Sequence, residues 1–277
     1  KKNNGNIYFD KKNENYSYVL KRNKTNSFVD LGFMCVNKKY LFSVLPKTNT
    51  NFSETLLKVS KNKKISYFET LDQYYSISDL ERAKLTKEYF TRKKIILLDR
   101  DGIINVKAPR GNYITSWKKF IFIKKNINTL RKLSVEGYKF IIITNQAGIA
   151  RKKLTTNKLN LIHKKMIMEL KNYDINILHI YSCRHGWHDQ CNCRKPKAGM
   201  FYSASKKFKF RLDKVIYIGD DSRDVEASFN AGCNSILIDN KFVSNDINNR
   251  IAQNKIFKNM SDAYSYINKF YSSNDYY

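Results

Sequence analysis

Short, mainly apolar runs alternate with amphipathic stretches along the second part of the chain. Runs of this length are typical of strands buried on both faces of a sheet, and they lie at 94–98, 140–143, 175–181, 215–218 and 235–238. Helices are predicted between them, over 126–136 with Gly137 as the C-terminal cap, from Thr155 or Thr156 onward, and over 223–231. This alternation predicts an α/β fold with a doubly wound parallel sheet.

The first part of the chain has a different pattern. It is rich in Asn, Tyr and Ser, with short β-like runs at 18–20, 28–31 and 40–42 and a helical stretch from Asp79 to about Thr91. The change in character predicts a smaller segment, residues 1–91, followed by a larger domain, residues 92–277. No stretch approaches the ~18 apolar residues of a membrane span, so we expect no membrane partner.

The 277 residues carry a formal net charge of +28, from 52 Lys and Arg against 24 Asp and Glu. Such an excess first suggests nucleic acid or another polyanion. The basic pairs are scattered, however, and no nucleic-acid motif accompanies them. We therefore expect a general attraction for anionic substrates but no specific nucleic-acid partner.

The cysteines and the N-terminus indicate in which cellular compartment the protein is found. The five cysteines are odd in number and three are clustered, which favours reduced thiols and a metal over disulfides. The N-terminus is polar, without the apolar core of a secretory signal. We expect a cytoplasmic monomer, and we interpret the start at Lys1 rather than Met as a sign of a fragment or processed product. We interpret four other residues as structural or core residues: His163, His179, Cys35 and Cys233.

Polar side chains follow three of the predicted strands, at Asp99-Arg100-Asp101-Gly102, at Thr144-Asn145-Gln146 and at Gly219-Asp220-Asp221. Ligands of doubly wound sheets bind at these carboxyl ends. Two carboxylates two residues apart can converge on one divalent cation, or serve as nucleophile and proton-transfer group. A hydroxyl with free N–H groups suits a phosphate oxygen, and carboxylates suit Mg²⁺. Taken one by one, the acidic strand end at Asp99 and the Thr144-Asn145 strand end also read as ordinary turns, so the residues alone leave both a magnesium and phosphate site and a structural role open.

In order and strand context, these three strand ends resemble the haloacid dehalogenase superfamily of phosphatases, which have a Rossmann-like core. The resemblance implies that Asp99 is the nucleophile that forms an aspartyl phosphate. It implies that Asp101 is the acid toward the leaving oxygen and then the base toward water, and that Thr144 holds the phosphoryl group. Asp220 would complete the Mg²⁺ site together with Asp99 and the backbone carbonyl of Asp101.

A second site is predicted in the segment that follows the third strand. Cys183-x-His185 and Cys191-x-Cys193 offer three thiolates and one imidazole, a closed tetrahedral set that is typical of a structural Zn²⁺. His188 is a rival ligand, since a zinc loop can also hold an outer-shell histidine.

The Arg194-Lys195-Pro-Lys sequence after this loop narrows the resemblance, over about residues 93–240. It is similar to the branch that contains D-glycero-D-manno-heptose-1,7-bisphosphate phosphatases and histidinol-phosphate phosphatases. The resemblance implies that Lys195 is the cation on the phosphoryl group and that Arg194 recognises the substrate, as a fork for a second phosphate. Asp221 departs from the heptose-enzyme pattern, in which a lysine commonly follows the aspartate.

Three further residues are candidate substrate contacts. Asn145 and Gln146 follow Thr144 at the end of the second strand. Arg110 lies in the loop 107–114 after the nucleophile, where it would meet a distal phosphate or a sugar hydroxyl. The same Pro-Arg-Gly-Asn sequence also reads as an ordinary turn.

Stretches 28–36 and 74–83 resemble the C-terminal part of sugar-phosphate nucleotidyltransferases, without that family's glycine-rich nucleotide loop. A fused sugar-activating segment favours a sugar phosphate as the substrate of the second domain. We expect a phosphatase acting on D-glycero-D-manno-heptose 1,7-bisphosphate. The alternatives are histidinol phosphate, a nucleic-acid 3′-phosphate, or a non-catalytic polyanion-binding module.

Overall fold

The computed structural model describes residues 5–10, 12, 15–23, 28–62, 65–70, 74–91, 93–109, 111–238 and 254–272. The chain divides into two compact units, residues 1–76 and 77–277. The predicted division into 1–91 and 92–277 stays a prediction. None of the described helices is long and apolar enough to cross a membrane.

The first unit is built around an antiparallel hairpin and two helices: β1 (Gly5–Asp10), β2 (Asn15–Asn23), α1 (Lys38–Val44) and α2 (Phe52–Lys61). Ile7, Tyr18 and Val59 are buried. The backbone N–H of Tyr18 donates to the hydroxyl of Ser60 at 2.9 Å, which ties α2 to the hairpin.

Two of the three β-like runs predicted in this unit need correction. The run 18–20 lies in β2, as predicted. The run 28–31 contributes only a bridge between Phe28 and Ile7. The run 40–42 lies in α1 rather than in a strand, because the side chain of Asn37 accepts a hydrogen bond from the N–H of Tyr40 and so caps a helix there.

The second unit is a six-stranded parallel sheet with the order β5-β4-β3-β6-β7-β8. Its strands are β3 (Ile95–Leu98), β4 (Lys139–Asn145), β5 (Ile177–Cys183), β6 (Ile216–Gly219), β7 (Asn234–Ile238) and β8 (Asn254–Phe257). Its helices are α3 (Leu80–Phe90), α4 (Lys124–Val135), α5 (Thr156–Asn172), α6 (Gly199–Phe208), α7 (Ser222–Ala231) and α8 (Met260–Ser272).

Both faces of this sheet are covered. Ile96 and Leu98 pack on one face into a core that includes residues of α4, α5 and α8. Ile95 and Leu97 pack on the other face into a core that includes residues of α6 and α7. Because every side chain of β3 is buried, its sequence is continuously apolar. The predicted α/β fold with a parallel sheet is confirmed.

The predicted elements differ from the observed ones mainly at their ends. Helix α4 begins two residues before 126, and Gly137, just past its end, has a φ of +90°. Thr155, rather than Thr156, caps α5 by accepting from the N–H of Lys158. Strand β5 begins at Ile177, whereas the prediction began at Ile175. Helices α2, α6 and α8 and strands β1 and β8 were not predicted.

The order of the strands places the site. The chain runs from β3 outward through β4 and β5, then returns to the other side of β3 for β6, β7 and β8. A crevice forms at the carboxyl ends of the strands where the winding reverses. The ends of β3, β4 and β6 therefore meet at one place, and these are the three strand ends that carry the predicted chemistry.

Candidate active site and metal centre

A cavity of about 890 Å³ opens at these strand ends. The structure brings most of the predicted site residues into its wall: Asp99, Asp101, Thr144, Asn145, Gln146, Arg194 and Lys195. Arg110 lies outside the described residues, so its predicted role stays a prediction.

Asp99 is held directly after β3 by a hydrogen bond from its N–H to the carbonyl of Ile218 on β6, at 2.8 Å. Its carboxylate is buried and lies 2.9 Å from Nζ of Lys195. Burial raises the pKa of Asp99 to about 7, since the attraction of Lys195 is opposed by the carboxylates of Asp224, Asp220 and Asp101. A further cation at this place would favour the charged form of Asp99.

Lys195 is buried in a polar cluster. Its Nζ donates to Oδ1 of Asp224 and to the hydroxyl of Tyr217, each at 2.7 Å. Burial opposes its charge, but the attraction of Asp224 and Asp99 outweighs burial and raises the pKa of Lys195. The side chain of Asn145 clamps the Lys195 backbone, donating to its carbonyl and accepting from its N–H at 3.0 Å. The ammonium is therefore fixed, charged, beside Asp99.

Asp101 is held by donors on three sides. Both of its oxygens lie 2.8 Å from Nη2 of Arg100, and Asn105 and Gln146 each donate to it at 2.9 Å. Burial would raise its pKa, but the charge of Arg100 and these hydrogen bonds hold the pKa below its ordinary value. Nε2 of Gln146 also donates to the buried hydroxyl of Thr144 at 3.0 Å. Gln146 therefore links the second carboxylate to the predicted phosphoryl-binding residue.

Asp99, Asp220 and Asp224 bring one carboxylate oxygen each to within 4.8 Å of one another. Asp224 already uses Oδ1 on Lys195 and Oδ2 on the backbone N–H groups of Asp220 and Asp221. Oδ1 of Asp220, by contrast, is buried with no hydrogen-bond partner among the described residues. Burial, together with the negative charge of Asp224, raises the pKa of Asp220 to about 6, although the positive charge of Lys107 lowers it. The oxygen donors of Asp99 and Asp220 therefore fit a hard divalent cation such as Mg²⁺.

Asp221, the residue that departs from the heptose-enzyme pattern, is neutralised by its neighbours. Arg223 binds both of its oxygens, with Nε at 2.8 Å and Nη2 at 2.9 Å. Nζ of Lys107 lies 3.3 Å from the same carboxylate and 3.0 Å from Asp220. These hydrogen bonds, those of Arg223 above all, hold the pKa of Asp221 well below its usual range. The carboxylate is thus a bridge between two cations rather than an isolated negative charge.

The four predicted zinc ligands also come together. One donor atom from each of Cys183, His185, Cys191 and Cys193 lies within 4.8 Å of the others, and His188 is not part of this group. Sγ of Cys183 is 3.8 Å from Sγ of Cys191. Tetrahedral zinc with Zn–S bonds of about 2.3 Å separates two sulfur atoms by about 3.8 Å. The spacing fits such an ion.

Residues 94–267 match the family model described as polynucleotide kinase 3 phosphatase. The chain belongs to this family. A D-glycero-beta-D-manno-heptose-1,7-bisphosphate 7-phosphatase from Pseudomonas putida is 31% identical over 145 residues, which cover 52% of this chain and 82% of that protein. The enzyme of the same name from Helicobacter pylori is 36% identical over 149 residues, which cover 53% of this chain and 84% of that protein.

A solved structure agrees with the family assignment. It is D,D-heptose 1,7-bisphosphate phosphatase from B. bronchiseptica, complexed with magnesium and phosphate. It matches with a TM-score of 0.58 and 27% identity, over 64% of this chain and 99% of that chain. The predicted haloacid dehalogenase-type phosphatase domain is confirmed. The resemblance of residues 1–91 to nucleotidyltransferases lies outside the match to the polynucleotide kinase 3 phosphatase family and stays a prediction.

Several site residues were missed by the sequence reasoning: Arg100, Lys107, Trp187, Tyr217, Arg223 and Asp224. Asp224 follows Asp220 by one helical turn, a spacing that could have suggested that both face the same site. Asn145 and Gln146 use their side-chain amides on Lys195, Thr144 and Asp101, so they position other groups in the site.

The predictions outside the site have mixed outcomes. His163, interpreted as structural, is buried and accepts from Nη1 of Arg100 at 3.1 Å, and burial together with that guanidinium lowers its pKa to about 3. Cys233 is buried, as predicted for a core residue. Cys35 is exposed, and its prediction as a core residue is wrong.

Proposed function

We propose that the chain is a magnesium-dependent phosphatase that acts on D-glycero-D-manno-heptose 1,7-bisphosphate through an aspartyl phosphate. The observation that carries the proposal is the meeting of Asp99, Asp101, Thr144 and Lys195 in one cavity. The named heptose bisphosphatases among the relatives support the choice of substrate. The paired state of Asp221 supports it too, because no uncompensated carboxylate opposes a phosphate there.

The first step is displacement at phosphorus. A carboxylate oxygen of Asp99 forms the new O–P bond while the bond from phosphorus to the sugar oxygen breaks, and Asp101 gives its proton to that leaving oxygen. The Lys195 ammonium and the Thr144 hydroxyl hold the phosphoryl oxygens. Asp101 has a lowered pKa in the free chain. An arriving phosphate dianion raises it by like-charge repulsion and thereby favours the protonated form that this step needs.

The second step returns the enzyme to its starting state. Asp101, now a carboxylate, takes a proton from water, and the water oxygen attacks phosphorus. The bond between phosphorus and Asp99 breaks, and inorganic phosphate leaves. Gln146 and Arg100 hold Asp101 in place for both proton transfers.

Asp99, Asp220 and the backbone carbonyl of Asp101 would hold the Mg²⁺ ion. When bound, the ion supplies positive charge that stabilises the transferring phosphoryl group. The orphaned Oδ1 of Asp220 is the observation in this chain that supports the assignment.

We assign a structural Zn²⁺ to Cys183, His185, Cys191 and Cys193. A closed set of four protein ligands leaves no position for substrate, so the ion would hold the loop rather than take part in chemistry. The loop runs directly into Arg194 and Lys195. Its shape therefore sets where these two cations lie.

A polynucleotide 3′-phosphate is a second candidate substrate, favoured by the description of the family model and by the net charge of +28. Phosphate release should be measured for the heptose bisphosphate, for histidinol phosphate and for a 3′-phosphorylated oligonucleotide, with Asp99→Asn as the control for each. The proposal expects the highest kcat/KM for the heptose. A higher kcat/KM for the oligonucleotide or for histidinol phosphate would overturn the proposed substrate, while the assignment as a phosphatase would stand.

A further inference from the structure

Trp187 is an exposed aromatic residue at the wall of the cavity. It lies in the loop between His185 and Cys191, and 58% of its surface is accessible. Two guanidinium groups lie over its ring, that of Arg194 at 4.6 Å and that of Arg223 at 5.9 Å from the ring centre. Tryptophan is the aromatic side chain that attracts cations most strongly. The indole therefore brings two guanidinium groups together at the wall of the cavity.

The two arginines come from different elements. Arg194 follows the cysteine cluster and donates through Nη1 to the carbonyl of His185 at 3.2 Å. Arg223 lies in the first turn of α7 and uses Nε and Nη2 on Asp221. Among the described residues, Nε and Nη2 of Arg194 and Nη1 of Arg223 make no hydrogen bond. These donors are therefore available to a ligand. Trp187 is the residue over which these two otherwise separate groups meet.

The charges in this part of the cavity wall favour an anion. Apart from the cluster around Asp99 and Asp101, the wall carries the cations Lys107, Arg151, Arg194 and Arg223. The carboxylate of Asp221 is paired with Arg223 and Lys107. Lys195, by contrast, lies between Asp99 and Asp224, at the end of the cavity where the reacting phosphoryl group would bind. The excess positive charge thus lies beside the reacting group rather than on it.

We propose that Trp187 is a specificity-determining positioning residue that holds Arg194 and Arg223 ready for the second, non-reacting phosphate of a bisphosphorylated sugar. The inference rests on the proposed function for the class of substrate. Guanidinium groups match phosphate oxygens with paired donors. Holding two long side chains over one rigid ring lowers the entropy that is lost when they bind the anion. Trp187 itself need not touch the substrate.

The test separates binding from turnover. Asp99→Asn protein is titrated by calorimetry, in Mg²⁺, with the heptose 1,7-bisphosphate and with the heptose 7-phosphate, alone and combined with Trp187→Leu or Trp187→Phe. Two cation–π contacts of ordinary strength correspond to a rise of about 5- to 30-fold in Kd. We expect Trp187→Leu to raise the Kd of the bisphosphate by that factor and that of the monophosphate by less than about twofold. Trp187→Phe, which keeps a ring, should restore most of the bisphosphate affinity.

A variant of the second arginine, which lies in α7 outside the cysteine loop, controls for misfolding of that loop in the Trp187 variants. Arg223→Gln leaves the cysteine cluster untouched and should weaken the bisphosphate selectively as well. An unchanged ratio of the two Kd values in Trp187→Leu, whether neither ligand or both ligands equally are weakened, would overturn the inference, and so would a reference protein without preference for the bisphosphate. The proposed function is judged separately, by hydrolysis of the bisphosphate by the unaltered chain. If the unaltered chain hydrolyses the bisphosphate but the ratio of the two Kd values does not change in Trp187→Leu, only the role of Trp187 is rejected and the proposed function stands.

Discussion

A Cβ atom on Gly102 would lie 2.1 Å from Oδ2 of Asp220. Gly102 also has a φ of +93°, a conformation that glycine adopts without strain. The turn after Asp101 can therefore bring its backbone against the carboxylate at the end of β6. This close approach of backbone to carboxylate would allow the proposed Mg²⁺ ion to contact the β3 and β6 strand ends together.

We expect Gly102→Ala to lose nearly all phosphatase activity. The methyl group would displace Asp220, and a small misplacement of a reacting or ligating group costs on the order of 10²-fold in rate. The variant should also need more Mg²⁺ for half-maximal activity. The measurement is kcat as a function of Mg²⁺ concentration, together with the melting temperature.

Gly137→Ala is the matched control for Gly102→Ala. Gly137 has a φ of +90°, but nothing lies within 4 Å of the added Cβ. Both variants carry similar backbone strain of about 1–3 kcal/mol. Only Gly102→Ala should lose activity. Equal activities in the two variants would mean that the Asp220 contact is dispensable.

Asp99→Asn should abolish turnover while the fold persists, because an amide cannot serve as the nucleophile. Asp101→Asn should retain a trace of activity, since loss of general acid–base help costs about 10²–10⁴-fold. Rapid-quench detection of phosphorylated protein distinguishes the two, with none formed by Asp99→Asn. Normal phosphate release by Asp99→Asn would remove the covalent mechanism.

The sheet could be predicted from the sequence because its strands are buried on both faces, as the continuous run Ile95–Leu98 shows. Short apolar runs are ambiguous by themselves, however. Tyr40-Leu41-Phe42 falls in a helix because of the cap at Asn37, a local signal that outweighs β propensity. Helix α8 was predictable in principle, since Met260, Ala263 and Ile267 recur at helical spacing on its buried side.

The strand-end residues of the site could be predicted because parallel strands end at one edge of the sheet. Contacts that depend on loop shape could not. Lys107 and Asp221 are 114 residues apart, and nothing in either segment encodes their ion pair. The hydrogen bonds between the Asn145 side chain and the Lys195 backbone could not be predicted from the sequence for the same reason. They require the loop after β5 to fold back onto the end of β4.

Lys195→Met should destabilise the protein as well as inactivate it. Removing the ammonium leaves Asp99 and Asp224 buried without their cation, and breaking a buried ion pair typically costs about 3–5 kcal/mol. Urea unfolding and phosphate release check the two effects. Lys164→Met, at an exposed position of α5, is the control and should change neither. A Lys195→Met protein that is inactive yet fully stable would show that bound metal or water already satisfies these carboxylates.

The proposed metals should differ in how easily they are removed. Mg²⁺ on the oxygens of Asp99 and Asp220 exchanges readily, so brief EDTA treatment should stop turnover and added Mg²⁺ should restore it. Zn²⁺ enclosed by three thiolates and His185 should survive that treatment, at about one ion per chain by elemental analysis. An active protein that contains no zinc would contradict the structural assignment.

Variants of the loop test the zinc ligands themselves. The Cys183–Cys191 separation of 3.8 Å places Cys191 within the set, whereas His188 lies outside it. Cys191→Ser should therefore lower the zinc content and raise KM together, because Arg194 and Lys195 follow the loop directly, while the Asp99 chemistry persists. His188→Ala should keep both zinc and KM. Zinc that is lost from His188→Ala but retained in His185→Ala would mean that His188, and not His185, is the fourth ligand. That ligand would then lie beside Trp187 rather than two residues after Cys183.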